Sequence, residues 1–198
     1  MAKKFELTAE FVTNMFGKKL FRIKALMAFG DVKEGELGGY VEKEENLDHG
    51  GDAWVYGNAW VYGDARVDGN AWVGGDAWVG GDARVYGNAW VYGNAWVDGN
   101  AWVGGDARVY GNARVYGDAR VYGDADYATI SGFGREFRTT TFFRLKDGGV
   151  GVQCGCFYGT IEQFREKVKE THGDSKYAKE YLMIADLMEL HFEQEEAE

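Results

Sequence analysis

The chain has 198 residues, 16 % of them aromatic, with 30 Gly, no Pro and a formal net charge of −10, an aromatic content that excludes a disordered chain. The charge is −1 over residues 1–50, −5 over 51–126 and −4 over 127–198, so no segment offers the basic footprint that duplex nucleic acid needs. No apolar run approaches the ~18 residues of a membrane span, "MAKKFELTAEF" lacks the apolar stretch of a secretion signal, and two cysteines in such a chain point to a reducing cytoplasm without disulfides.

Residues 1–50 read as an N-terminal β cap followed by an irregular first coil of what comes next. "LFRIKAL" alternates as a strand does. Val41 and Leu47 are six residues apart, the interval of the following repeat, and a two-residue misfit before Val55 can be absorbed by "DHGGD". The expected role is a lid over strand edges that would otherwise invite aggregation.

Residues 51–126 repeat every six. Ala recurs from Ala53 to Ala125 and Val from Val55 to Val121 without a slip. Ala and Val are two apart, so in a strand they share a face and the residue between them points outward. Gly fills every turn (Gly57, Gly63, Gly69 and onward) beside Asn or Asp, the residues that tolerate positive φ. A period of six fits no helical stripe, whereas a β-solenoid buries Ala and Val in a narrow interior and pairs each strand with the one above.

Units such as "VYGNAW" and "VYGDAR" resemble the hexapeptide repeats of left-handed parallel β-helices. That resemblance implies a triangular prism, left-handed winding and three units per coil of 18 residues. Residues 51–126 then make about four coils, roughly 20 Å tall at ~4.8 Å per coil. Stacking residue i over i+18 sorts the outward slot into three columns: Trp54, Trp72, Trp90, Arg108, Asp126; Trp60, Trp78, Trp96, Arg114; and Arg66, Arg84, Trp102, Arg120. Arg66, Arg84, Arg108 and Arg120 each follow an Asp by two residues, which predicts Asp–Arg ion pairs on a solvated face. Six exposed Trp would make an apolar patch too large for a soluble monomer. The family resemblance implies a homotrimer of side-by-side prisms, so Trp54, Trp60, Trp72, Trp78, Trp90 and Trp96 are expected at subunit interfaces, two faces per chain.

Residues 127–198 read as a ββαα capping or oligomerisation unit. "FRTTTFFRLKDGGVGVQCGCFYGT" gives two strands joined at Asp147-Gly148-Gly149. Thr160 and Gln163 form a capping box for a helix to about His172, Gly173 ends it, and Ser175 caps a second helix. Tyr177, Tyr181, Ile184, Ala185, Met188 and Phe192 make its apolar stripe, and "EQEEAE" is expected to fray. "FGDVKEGELGGYVEKEENL" and "TTTFFRLKDG…CGCFYGT…THGD" resemble uncharacterised hexapeptide-repeat proteins of bacteriophages and prophages, a likeness that implies origin and fold but transfers no catalytic residues.

The chemistry is sparse. Hexapeptide acyltransferases use a His base; here only His49 lies near the prism, His172 and His191 falling on the C-terminal helices. No His lies on the repeat faces, so no zinc site is expected. Cys154 and Cys156 share one face of a predicted strand with Val150 and Val152 and read as a buried patch. The Gly pairs at 74–75, 80–81 and 104–105 read as steric relief at the prism corners. The expectation is a non-enzymatic, phage-encoded homotrimer without cofactor, acting in the bacterial cytoplasm to sequester a host nucleotide signal or block a host defence protein. Aromatic planes would stack bases and Arg forks hold phosphates at Arg66, Arg84, Trp102, Arg108, Tyr110, Arg114 and Arg120. A hexapeptide-class acyltransferase using His49 and a virion structural or assembly protein are the alternatives.

Overall fold

Each six-residue unit between Trp54 and Val121 has only two extended residues, because the turn consumes the rest. In the computed structural model, which describes residues 3–193, these pairs form twelve two-residue strands, β4 (Trp54–Val55) to β15 (Arg120–Val121), one every six residues. Glycine is dictated at the corners twice over. Gly75 has φ 67°, and a Cβ there would stand 3.0 Å from the amide nitrogen of Gly93 one coil above.

Each strand from β4 to β12 pairs in parallel with the strand 18 residues on, Val91 with Val73 below and Val109 above, for example. Three sheets result, β4-β7-β10-β13, β5-β8-β11-β14 and β6-β9-β12-β15. The chain is therefore a mainly β protein built on a three-walled β-solenoid of about five turns. Each Ala from Ala53 to Ala119 and each Val from Val55 to Val121 is fully buried. A buried Val contributes about 1.5–3 kcal/mol, and Ala leaves room for its neighbours in the narrow interior.

The lower end is closed by β1 (Phe5–Thr13), β2 (Lys19–Ala25) and β3 (Leu37–Val41), which extend one wall to seven strands. The sequence reading missed β1. Val41 pairs with Val61 and Leu47 with Val67, so the irregular coil exists, with a register of 20 residues instead of 18. The two extra residues fall in the predicted "DHGGD" stretch. Lys4, buried, knits that stretch by donating from Nζ to the carbonyls of Gly50, Gly51 and Ala53 at 3.3, 3.3 and 2.9 Å.

The upper end meets a second unit. Four strands, β16 (Tyr127–Phe133), β17 (Arg138–Arg144), β18 (Val150–Cys154) and β19 (Phe157–Thr160), form an antiparallel sheet, where the sequence predicted two. Tyr127 and Phe143 join the solenoid core, and the Tyr127 hydroxyl donates to the Arg108 carbonyl at 2.6 Å. Helices α1 (Ile161–His172) and α2 (Lys176–Phe192) cover the other side of the sheet, with Thr160 and Ser175 as their N-caps as predicted. Their core joins Phe142 and Val152 to Phe164, Tyr181, Ile184, Ala185, Met188 and Phe192; Ala178 replaces the exposed Tyr177 in the expected stripe. The expectation for the acidic end falls on residues 194–198, outside the described ones. Among the described residues no helix is long and apolar enough to cross a membrane.

Candidate functional site

The three predicted columns stand as three vertical files. On the second wall Trp60, Trp78 and Trp96 stack at 4.7 and 4.5 Å with interplanar angles of 9° and 12°, and Arg114 caps the file 5.0 Å above Trp96. On the first wall Trp72 and Trp90 stack at 5.3 Å, with Arg108 5.5 Å above Trp90. On the third wall Arg84 and Arg120 enclose Trp102 from both sides, at 5.4 and 4.6 Å. These spacings follow the coil rise, so the fold itself imposes the stacking. Each aromatic pair adds about 0.5–1.5 kcal/mol and each exposed cation–π contact about 0.5–1 kcal/mol. The rings hide their planes in one another and present their edges outward; Trp90 is the most open, at 42 % exposure.

Three expectations change. Trp54 does not face a neighbouring subunit: Phe5 and Phe29 of the N-terminal cap pack edge-on against it at 6.3 and 5.3 Å and bury it completely. The predicted Asp–Arg pairs two residues apart do not form among the described residues. Each arginine lies along its own wall, while the corner Asn and Asp make files of their own: Asn70 donates to Asn88 at 3.2 Å and Asn88 to Asp106 at 3.0 Å. Asp126 leaves its column for a 3-10 turn, where it accepts from Arg144 Nε at 3.0 Å.

The residue after Val completes the walls, in corner files the sequence reading did not assemble. Tyr62 lies across Gly80 and donates to Asp98, two coils up, at 3.2 Å, while Tyr86 lies across Gly104. Burial, and then the Asp98 carboxylate, raise the Tyr62 hydroxyl far above its usual range and hold it as a donor. A Cβ at Gly80 or Gly104 would enter the tyrosine ring, so these glycines do relieve a steric conflict. Gly74 has no such lid. Tyr56 turns instead towards Trp54 and Trp72, and an apolar notch of about 310 Å³ opens between Tyr56, Trp72, Trp90 and Tyr92.

The proposed ligand residues are not gathered by one chain. Arg66, Arg84, Trp102 and Arg120 share the third wall, Arg108 and Tyr110 belong to the first, and Arg114 tops the second. Arg66 lines an open groove of about 680 Å³ with Glu44, Glu45, Asp48, His49 and Asp68, where an anion meets four carboxylates. Burial, then Asp48, pushes the Asp68 carboxyl up. His49 has no free lone pair for base catalysis. Its Nδ1 accepts the Lys4 N–H at 3.2 Å, which leaves the proton on Nε2 to be donated to Glu44 Oε1 at 2.7 Å, and its ring stacks on Phe5 at 4.4 Å. Lys3, then His49, holds the Glu44 carboxyl below its usual range. No group of His, Cys, Asp and Glu suited to a metal occurs among the described residues.

Cys154 and Cys156 do not share a strand face. Gly155, at φ 61°, turns the chain between β18 and β19, so Cys154 ends one strand half-buried and Cys156 sits exposed in the turn. Thr140 Oγ1 donates to Cys154 Sγ at 3.2 Å. His172 tilts over Tyr181 at 5.8 Å, and His191 lies edge-on to Phe192 at 4.8 Å.

With that geometry in hand, comparison with known families gives one match. Residues 59–75, 77–92 and 107–123 match the YdcK beta solenoid repeat, over about a quarter of the chain. The match and the stacked coils agree on a repeat β-solenoid. No curated protein matches the chain.

Proposed function

We propose that this chain is a non-enzymatic binding protein that acts as a homotrimer of left-handed hexapeptide-repeat prisms. The observation that carries the reading is the pair of outward Trp files, each ending in an arginine without a carboxylate partner among the described residues. A cyclic trimer uses two different faces of each chain against two neighbours, and these two walls supply them. The third wall then lines the clefts between prisms, where the Arg84–Trp102–Arg120 sandwich offers two guanidinium forks beside an aromatic edge. That chemistry suits a nucleotide, with phosphates on the forks and the base against the ring. The biological setting is a host nucleotide signal sequestered in the bacterial cytoplasm during phage infection; the flanking segments, which resemble phage and prophage proteins, support it. The occupied lone pair of His49 speaks against the acyltransferase alternative.

Light scattering on the purified full chain tests the assembly, which is expected at three times the 22.1 kDa monomer mass. A stable monomer sinks the trimer. Calorimetric titration with cyclic mono- and dinucleotides tests the ligand: heat is expected for the wild type and none for Arg84→Glu with Arg120→Glu. Silence across the panel removes the nucleotide reading and leaves blockade of a host protein, to be sought by affinity capture.

A further inference from the structure

The groove around Arg66 is rimmed by carboxylates and the notch beside Trp72 is apolar, whereas the C-terminal unit holds a recess lined by cations. A cavity of about 350 Å³ lies between the loop joining β16 to β17, the β18–β19 turn and the two helices. Phe157, Phe164 and Val168 form an apolar wall, with the two rings 5.6 Å apart. Arg135, Arg138 and Lys167 stand at the polar side with Glu136 as the only carboxylate in the lining. A second groove of about 490 Å³ shares Arg138 and Cys156 with the first and runs to Arg114 on the last coil. Four cations against one carboxylate therefore line two adjoining hollows that share Arg138 and Cys156, in a chain of net charge −10.

Arg138 is the centre of this recess. Its guanidinium lies on the backbone of the β18–β19 turn, where only the absent side chain of Gly155 makes room for it. Among the described residues Arg138 has no carboxylate partner, whereas Arg135 has Glu136 at 3.9 Å and Lys167 has Glu170 at 2.8 Å. A guanidinium offers a planar fork of donors suited to a carboxylate or phosphate, and an unpaired one beside an apolar wall can pair with a ligand's charge. The cavity volume lies at the small-molecule end of the ~300–1,000 Å³ range of ligand sites. The loop over the cavity contains Phe137, the one non-glycine residue with positive φ among the described residues, at 51°. Such outliers gather at ligand sites.

We propose that this recess binds a small organic anion with a flat apolar body. The body lies against Phe157, Phe164 and Val168, and the carboxylate or phosphate headgroup is held by Arg138, with Arg114, Arg135 and Lys167 around it. The site belongs to one chain and is independent of the clefts proposed between prisms.

The test uses 1-anilinonaphthalene-8-sulfonate, an aromatic anion whose emission rises in apolar sites, titrated onto the full chain at low salt. Saturable binding near one dye per chain is expected. Arg138→Glu is expected to weaken it about tenfold or more, because the exchange turns a charge-assisted hydrogen bond into repulsion. Lys33→Glu, the same charge reversal at an exposed position of the N-terminal cap, is expected to leave it unchanged. Arg138 is exposed, and an unchanged circular dichroism spectrum checks that its variant folds. Bound dye is also expected to slow alkylation of Cys156 by iodoacetamide. Competition with adenosine monophosphate and with 2-naphthoate tells a phosphate headgroup from a carboxylate. Equal affinity in Arg138→Glu, an equal loss of binding in Lys33→Glu, or displacement by neither competitor overturns the proposal.

Discussion

The solenoid and the C-terminal unit solve the same packing problem in opposite ways. In the solenoid each side chain meets its counterpart 18 residues away, so Val lies on Val, Trp on Trp and Asn on Asn. Like on like makes smooth walls and open corner notches. In the C-terminal unit Phe164 meets Tyr181, Cys154 meets Thr140, and the Gly134 N–H donates to Glu180 at 3.0 Å. Unlike partners leave an irregular interior, and the cation-lined recess lies where the periodicity ends. Repetition supplies a rigid shaft and broad stacking surfaces; an enclosed site that gathers different chemistries needs the aperiodic part.

The largest effect that can test this contrast is a charge in the shaft. Val91→Asp places a carboxylate in an interior with no polar partner and is expected to cost more than about 4–5 kcal/mol. Because each coil pairs its strands only with those of its neighbours, hydrogen exchange should rise first in the coils around residue 91 and spread to both ends. Protection that stays intact across the solenoid contradicts the shared core. Next, Phe164→Ala is expected to cost about 3–5 kcal/mol, with exchange rising in α1, α2 and the sheet beneath them. If the lower coils loosen equally, the two regions form one cooperative unit and the contrast is false.

The lower cap provides a pH test of intermediate size. Burial lowers the Lys4 amine from 10.5 to about 8, although Asp48 and Asp52 pull it up. The unfolded chain therefore holds this proton longer than the folded one between pH 8 and 10.5. Stability from this group is flat below about pH 8 and rises from there to about 10.5, by up to ~3 kcal/mol at ~1.4 kcal/mol per unit. Denaturant midpoints of the wild type are expected to gain on those of Lys4→Met across that window. Parallel curves discard the assignment.

The smallest test compares two glycines with identical local sequence. Gly80→Ala must push the Tyr62 ring aside and is expected to cost about 1–3 kcal/mol, whereas Gly74→Ala meets only the Tyr56 Cβ at 3.5 Å and should stay within about 0.5 kcal/mol. Equal melting temperatures for the two variants refute the tyrosine lid.

Parts of this molecule were legible in advance for a definite reason. The columns of Trp and Arg could be read because their contacts lie one fixed interval apart, three of the unbroken six-residue Ala and Val periods, a number the resemblance to hexapeptide-repeat proteins implied. The capping box at Thr160 and Gln163 could be read because it is local. Trp54 could not, since the rings that bury it arrive from Phe5 and Phe29, outside the repeat. Strand β16 was hidden because "YATISGF" follows the repeat without a turn signal, and the turn at Gly155 was read through as one strand. The recess left almost no trace, as Arg114, Arg138 and Lys167 carry no shared spacing; the one hint was the Gly between the two cysteines.

Taken alone, the sequence determined the β class and the six-residue repeat; the resemblance to hexapeptide-repeat proteins added three units per coil, and with it the content of each wall, because a strict period converts position in the chain into position in space. Tertiary structure decided which Trp is covered, which glycine lies beneath a tyrosine and where cations converge. Those outcomes depend on segments that meet only after folding, and no interval along the chain encodes them.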